Sequence, residues 1–599
     1  MKIFFSTFII IAICCFTGCQ KQPYNTYYEY NSDTGTENVI SSDTEWSGNI
    51  NISGIQKISG AELIIDSGST VTLDRAAVLF VENGGKLTLK KHSNILFSNE
   101  SFLYVDSGTL SAHGTSTDSV NFNSRSGAGC VVLYNRSKAD FNFCKFSGMN
   151  NGIDAKKGAS VRISDCKIYG CKSHGIILEN GALLPDSMAL THNKLTGNGG
   201  YGLEIGADNV DKISENNIID SNASEGVHIK GEIVSHTCTW KALDVPYTVT
   251  GNIKIFDSVK APALTIEPGC VFLMERYSSF EIGSDSVAKN SDSVSGTLIA
   301  QGADKDSIYF KPKNVDQGWG YLENNHSPHG GLHFRKKASA KSVINFCVID
   351  SALNGIYLKS GSRIKLTNSH ICGSYNSGII CEDSAGFADS SGFANNILSK
   401  NGSYGIEVFP SFVSSISPSN KFEDIRGIKV SGGRIYKDAL WRKLNSPYYV
   451  TGEVSVADTT GPVLTIEPGT VFLMDTNSYF HIGNSKESAA LIALGTPSDS
   501  IKFKSVNDTL EWGYRSTPFG GLYFDEKASD SSSVEYALID FANGGIYTSV
   551  SANIRNCTIS KYRQYGIGIS KTSLNTNIQQ ITYLPTIKTS PELKDFSIK

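Results

Sequence analysis

The 599-residue chain has little of what would mark a nucleic-acid binder, a metalloprotein or a helical protein. Its 54 basic and 58 acidic residues give a formal charge of −4, and no long basic run occurs. Surfaces that grip phosphate backbones gather Lys and Arg into a stripe, so no nucleic-acid partner is expected. There is no CxxC pair and no Cys/His spacing suited to zinc, so no metal and no cofactor is expected. Charged residues make up only 19% of the chain. No segment sustains a helical period, which excludes a bundle.

What is there is repetition. Leu264–Gly269 reads LTIEPG, and Leu464–Gly469 reads LTIEPG again, each leading into a Val-Phe-Leu-Met run. Pro246-Tyr247 and Val249-Thr250-Gly251 match Pro447-Tyr448 and Val450-Thr451-Gly452. Trp319-Gly320-Tyr321 matches Trp512-Gly513-Tyr514, and Gly330-Gly331-Leu332 matches Gly520-Gly521-Leu522. A more divergent copy comes first: its Gly108-Thr109-Leu110 and Asp118-Ser119 match Gly296-Thr297-Leu298 and Asp306-Ser307. Internal repeats bury their apolar faces against each other, so they decide the fold before propensity does.

A finer period runs inside each copy. Gly152-Ile153, Gly175-Ile176, Gly202-Leu203 and Gly226-Val227 are answered by Gly355-Ile356, Gly378-Ile379, Gly405-Ile406 and Gly427-Ile428. The third copy keeps Gly545-Ile546 and Gly566-Ile567. Between them lie short alternating runs such as Val161-Arg162-Ile163, bounded by Gly, Asn, Ser and Asp. Alternation between turn residues means half-buried strands. A strand repeat of roughly 20–25 residues predicts an all-β solenoid, a parallel β-helix with one coil per repeat. The leucine ladder of a leucine-rich repeat is missing.

Asn recurs in step, with Asn193 and Asn198 answered by Asn396 and Asn401 in NKLTGNGGYGLEI and NILSKNGSYGIEV. Such residues are expected to stack at turns and bond between coils, not to catalyse. Ten of the thirteen cysteines lie beyond residue 19. Cys144 and Cys347 share a repeat position with Ala537, and Cys166 and Cys557 share one with Ser369. Interchange with Ala and Ser predicts small buried wall residues. A disulfide between neighbouring pairs such as Cys144 and Cys166 is the alternative in an oxidising compartment.

The N-terminus is an address. Lys2 precedes the apolar run Ile3–Phe16, which is too short for a stable membrane span. Phe16-Thr17-Gly18-Cys19 resembles the lipobox of bacterial lipoproteins. That resemblance implies cleavage of residues 1–18 and lipidation (a palmitate-type acyl anchor) at Cys19, and hence a membrane partner through the anchor. With no Asp just after Cys19, the resemblance points to the outer membrane, on its periplasmic or cell-surface side. Residues 19–45 are expected to form a flexible tether.

Tyr247–Phe310 and Tyr448–Phe503, with the GGLHFRKKASAKSVINFCVIDSALNGIY and GGLYFDEKASDSSSVEYALIDFANGGIY strings that follow, resemble secreted bacterial proteins of the pectin-lyase-like class. The resemblance implies a right-handed parallel β-helix of three homologous tandem units, over residues 46–236, 237–436 and 437–570. Residues 571–599 remain as a C-terminal tail or cap. The class includes polysaccharide lyases, hydrolases and adhesins, so the fold alone does not choose an activity.

The chemistry such enzymes need is incomplete. The polygalacturonase-like branch implies an NTD, a DD, a GHG and an RIK cluster. Arg363-Ile364-Lys365 is present and Ser173-His174-Gly175 approaches GHG, but they fall in different units, and no Asp-Asp pair exists. Asp350 and Asp540 recur at one repeat position, which favours a structural turn over a single catalytic site. His326, His329 and His333 cluster in HSPHGGLH and are expected to be loop histidines, not metal ligands. No residue is assigned a catalytic role. Trp319, Tyr321, Trp512 and Tyr514 are the candidate glycan-stacking residues, since exposed rings are what a sugar face packs on. The alternative is that each Trp folds back to plug its own coil. The expectation is therefore a lipid-anchored, non-catalytic envelope protein that binds glycan, adheres or acts as a scaffold, with polysaccharide as its soluble partner. A polysaccharide lyase or glycoside hydrolase acting on an acidic polysaccharide is the rival.

Overall fold

The computed structural model describes residues 37–584, except 258, 286–294, 321, 324–326, 329, 425, 508, 514–520 and 571–575. Cys19, the signal segment, Tyr321, Tyr514, His326 and His329 lie outside the described residues. The chain winds as a parallel β-solenoid of about 21 turns with almost no helix. Two long sheets, of sixteen and fourteen strands, run along it, flanked by shorter sheets of six to eight strands. Among the described residues, all strand pairings are parallel except one small hairpin at Leu322–Glu323 and Ser327–Pro328 and an isolated bridge between Asp458 and Ser488.

Each strand alternates. In Thr70–Leu73, Val71 and Leu73 point inward and are buried while the threonines face out. The inward residues of successive coils stack into one continuous core, with aromatic columns such as Phe272 on Phe310, 5.0 Å between centroids, and Phe472 on Phe503, 4.8 Å. Each fully buried aromatic of this kind contributes about 1.5–3 kcal/mol relative to exposure.

The turns are held by the predicted asparagines. Asn193 and Asn198 are buried, and their side-chain oxygens accept from the Cys166 and Cys171 amides of the preceding coil, each at 3.0 Å. Their own amides reach on to Asn217 and Asn222. Asn396 and Asn401 repeat this on Ser369 and Ser374, reaching Asn420 and Asp424. The cysteines line the wall: Cys144, Cys347 and Ala537 are all buried, as are Cys166, Cys557 and Ser369. The ten cysteines of the described residues are free thiols, and the Cys144 amide donates to Cys166 Sγ at 3.3 Å.

Two ends differ from expectation. The tether was expected to run to residue 45, yet Glu37–Ile40 already pairs with Ile55–Ser59 in the first coil. Residues 577–584, within the segment expected to be a C-terminal tail or cap, add two strands, Asn577–Gln579 and Thr582–Leu584, to existing ladders. In both places two or three apolar residues suffice, because a parallel ladder supplies backbone partners to any strand that lies beside it.

The homologous units do not stack face on face. The Gly-Ile strands of the first unit, from Ile153–Ala155 to Val227–Lys230, belong to the sixteen-stranded sheet. Those of the second unit, such as Ile356–Leu358 and Ile406–Val408, belong to the fourteen-stranded sheet. Those of the third, Gly544–Thr548 and Tyr565–Ile569, belong to a six-stranded sheet. A 3-10 helix interrupts the strand order near each join, Ala207–Lys212 and Pro410–Ser415, with Val210 and Val413 keeping the core filled. Each unit thus starts one side further round the coil than the last.

Candidate functional site

Of the two readings of the Trp-Gly-Tyr elements, the structure shows the plug and not the stacking platform. Trp319 and Trp512 are fully buried. Their indole N–H groups donate to the carbonyls of Asp350, at 2.7 Å, and Asp540, at 2.9 Å. Each ring packs over a core phenylalanine, Phe310 or Phe503, at 6.5 and 6.4 Å. The glycine pair after the Trp gives it room: a Cβ on Gly331 would meet the Trp319 ring at 2.5 Å. These tryptophans plug the coil, and the residues that receive them, Asp350 and Asp540, are the last of the strands Cys347–Asp350 and Ala537–Asp540 and not turn residues as expected. His333 is also a correction, since it lies fully buried in the strand Leu332–Phe334 with its ring edge-on to Tyr357 at 5.3 Å. Arg363 lies over the Phe412 ring at 4.4 Å, while His174 lies outside any strand beside Glu204, so no RIK–GHG constellation forms.

The outward side of the sixteen-stranded sheet collects the chemistry instead. One register ladder runs through Phe80, Tyr104, Val132, Asp154, Ile177, Glu204 and His228. Beside it, Asp106 pairs in register with Tyr134, and Gly206 with Lys230. The inward neighbours on the same strands, including Leu103, Leu133, Ile153 and Leu203, fill the core, so the ladder residues must face out.

At its N-terminal end the ladder is aromatic. Tyr104 stacks on Phe102 at 5.2 Å, meets Phe80 edge-on at 6.2 Å and touches Tyr134 at 5.8 Å. Phe80, Phe102 and Tyr134 stay half-exposed over a small outer cluster of Val78, Cys130 and Val132. Three coils on, the face becomes charged. Glu204 accepts from His228 Nδ1 at 2.9 Å, lies 3.5 Å from His174 Nε2 and is paired with Lys230. His228 Nε2 faces Thr250 Oγ1 at 2.9 Å, and Tyr201 stacks on the His228 ring at 4.5 Å. Lys156 bridges Asp154 at 3.0 Å and Glu179 at 2.6 Å.

These carboxyls are pushed in opposite directions. Burial raises Asp154 to about 6, although Lys156 opposes it. Burial also penalises charged Glu204, but the His228 hydrogen bond and Lys230 outweigh it and bring the group to about 2. Burial lifts Glu232, just after Lys230, to about 7. Burial holds His174 below its ordinary value. Shallow depressions of about 240 Å³ (lined by Ile213, Ile218, Leu243 and Asp244) and 300 Å³ (by Thr109, Lys138, Asp140 and Arg162) lie on other sides of the coil.

A family described as "Right handed beta helix region" matches residues 38–232 and 287–437, more than half the chain. The chain belongs to the right-handed β-helix family. No curated protein matches it. The β-helix thus presents a face that sequence reasoning passed over. A signal was there: Tyr201 and Glu204 in NKLTGNGGYGLEI match Tyr404 and Glu407 in NILSKNGSYGIEV. Outward positions of a solenoid are free to drift, and this pair did not.

Proposed function

We propose that this β-helix is a lipid-anchored protein of the bacterial outer membrane, acylated at Cys19, that binds polysaccharide along the outward side of its sixteen-stranded sheet. One observation carries the binding reading. A half-exposed aromatic strip, Phe80, Phe102 and Tyr134, is followed on later coils of the same sheet by charged side chains at the strand ends, Lys156, Glu179 and Lys230. Rings accept sugar faces and fixed polar groups accept hydroxyls, the combination a glycan site needs. The carboxylates of the row are already paired with cations from adjoining coils, which sets their positions before any ligand arrives and lowers the ordering cost of binding. This face takes the place of the buried tryptophans as the stacking surface.

A hydrolytic or lyase reading is favoured by one observation of its own. Asp154 and Glu204 sit two coils apart on the ladder, roughly 10 Å by strand spacing. Their environments push a carboxyl near 6 and another near 2, the divergence that separates an acid from a base. Inverting glycoside hydrolases hold two carboxyls roughly 6.5–9.5 Å apart.

The test is native affinity electrophoresis of residues 20–599 through gels cast with polygalacturonate, alginate, xylan or dextran, stained afterwards for polymer. Retardation with the polymer intact supports binding. A cleared zone that tracks the band and disappears in Asp154→Asn makes the protein an enzyme. Migration unaffected by every polymer contradicts both readings.

A further inference from the structure

One carboxylate on the outward side of the sixteen-stranded sheet stands without a cation beside it. Lys57 lies 3.8 Å from Glu82, Lys156 bridges Asp154 and Glu179, and Lys230 is paired with Glu204. Asp106 has no such partner among the described residues. It ends the strand Phe102–Asp106, in register with Tyr134, whose ring is half-exposed. Two neutral groups hold it in place. Asn135 Nδ2 donates to Oδ1 at 2.7 Å, and Ser107 Oγ donates to the same oxygen at 3.0 Å. Among the described residues Oδ2 accepts no hydrogen bond, and it is not buried.

The fold does not require an acid at this place. Ser101, Ser278 and Ser478 mark the same turn in the three units, each Oγ donating to the carbonyl three residues back. The fifth residue after each serine is Asp106, Gly283 and Gly483. Two units therefore close this coil with no side chain at all, and the first sets a carboxylate there. A carboxylate fixed beside a ring accepts hydroxyl hydrogens from a sugar stacked on that ring, and such charge-assisted bonds are among the stronger ones. It repels a sugar that brings its own carboxylate to the same place. Arg136 and Lys157 are exposed in the neighbouring corner turns, off the outward sheet positions. A polymer held by the rings meets Asp106 beside Tyr134 whatever it finds at the corner.

We infer that Asp106 is a specificity-determining residue of the glycan face, that its open oxygen takes sugar hydroxyls, and that the polymer admitted there is an uncharged one. The inference rests on the glycan-binding reading above.

The experiment measures retention of residues 20–599 by xylan and dextran, by carboxymethylated forms of the same two polymers, and by polygalacturonate and alginate. A neutral polymer should retain the chain, and carboxymethylation of that polymer should weaken retention by up to about fivefold, the effect of one exposed charge. Asp106→Asn keeps the shape and removes the charge, so the gap between the neutral and carboxymethylated forms should close. Asp106→Ala should weaken retention by the neutral polymer roughly two- to tenfold, one net hydrogen bond. Far-UV circular dichroism checks that both variants fold, and a merely structural aspartate would leave the selectivity of Asp106→Asn unchanged. Retention by polygalacturonate or alginate in preference to the neutral polymers overturns this inference and leaves glycan binding standing. So does a neutral-to-carboxymethylated ratio that Asp106→Asn does not move. Failure of every polymer to retain the chain overturns both.

Discussion

Glu204 and Glu407 occupy one register position of two homologous coils, yet they belong to different sheets and face different sides of the rod. The shift arises inside the unit and not at the joins: Val227–Lys230 pairs with Tyr247–Thr250 within the sixteen-stranded sheet, and Ile428–Val430 with Tyr448–Val450 within the fourteen-stranded one, so the second unit spans whole coils plus one side. Duplication of a solenoid segment copies its surface chemistry, but a non-integral number of turns turns the copy.

The N-terminal reading is tested in cells. Labelled palmitate should enter the full-length protein and be lost in Cys19→Ser, which should also accumulate as the uncleaved precursor. Labelling that persists in the variant would place the anchor elsewhere.

Two pairs of tryptophans should respond differently to loss of the indole N–H. Trp512 donates to the Asp540 carbonyl, whereas buried Trp441 Nε1 has no hydrogen-bond partner among the described residues. Both substitutions to Phe remove similar volume. Trp512→Phe should therefore cost about 1–3 kcal/mol more than Trp441→Phe, the penalty of orphaning a buried carbonyl. Urea unfolding midpoints at constant slope measure the difference, and equal costs would contradict the plug account.

The turns and the wall should also separate. Asn198→Ala leaves the Cys171 amide without its acceptor and breaks the link to Asn222, so a loss of about 2–3 kcal/mol is expected. Cys144→Ala copies what Ala537 already does in the third unit and should cost roughly 1 kcal/mol, one small buried group. Thermal unfolding of the two variants compares them directly.

The third unit carries a pH-sensitive clamp. His481 places Nδ1 2.9 Å from Glu453 and Nε2 3.1 Å from Asp525, with Tyr523 stacked on its ring at 4.7 Å. Burial would lower the imidazole, but the two carboxylates outweigh it and raise it above its usual 6.5. A raised base stabilises the fold fully below its unfolded value and loses that contribution as pH climbs through the folded one. Glu453 is lowered chiefly by the His481 bond. Burial pushes Asp525 up, but its bonds to Tyr523, the Glu526 amide and His481 bring it down. The carboxylate contribution is therefore present above their unfolded values and fades as pH falls. Stability should peak between about pH 4.5 and 6.5 and decline above. His481→Gln should flatten the upper limb, and an unchanged slope there would contradict the clamp.

Much of the fold was legible because a solenoid repeats its constraints. The Gly-Ile period, the stacked asparagines and the Cys/Ala/Ser interchange each report a backbone corner or a wall position that every coil must satisfy. The direction of Trp319 was not legible from Trp-Gly-Tyr alone, since a ring between strands turns in or out according to the space opposite. Gly330-Gly331, retained as Gly520-Gly521, was the sign of that space. His333 misled because neighbouring histidines suggested a loop, while its register beside Glu281 puts it in a strand. The charged row escaped notice because its members lie a coil apart, and no local motif joins Asp154, Glu204 and His228. Pairing along the ladder brings them together.

The central claim is that glycan lies along the outward side of the sixteen-stranded sheet, and hydroxyl-radical footprinting with a retained polymer tests it most directly. Protection concentrated at Phe80, Phe102 and Tyr134, with exposed Tyr436 and Tyr583, which lie off that sheet, unchanged, is the expected result. Protection elsewhere, with these three rings still open to oxidation, would contradict the account.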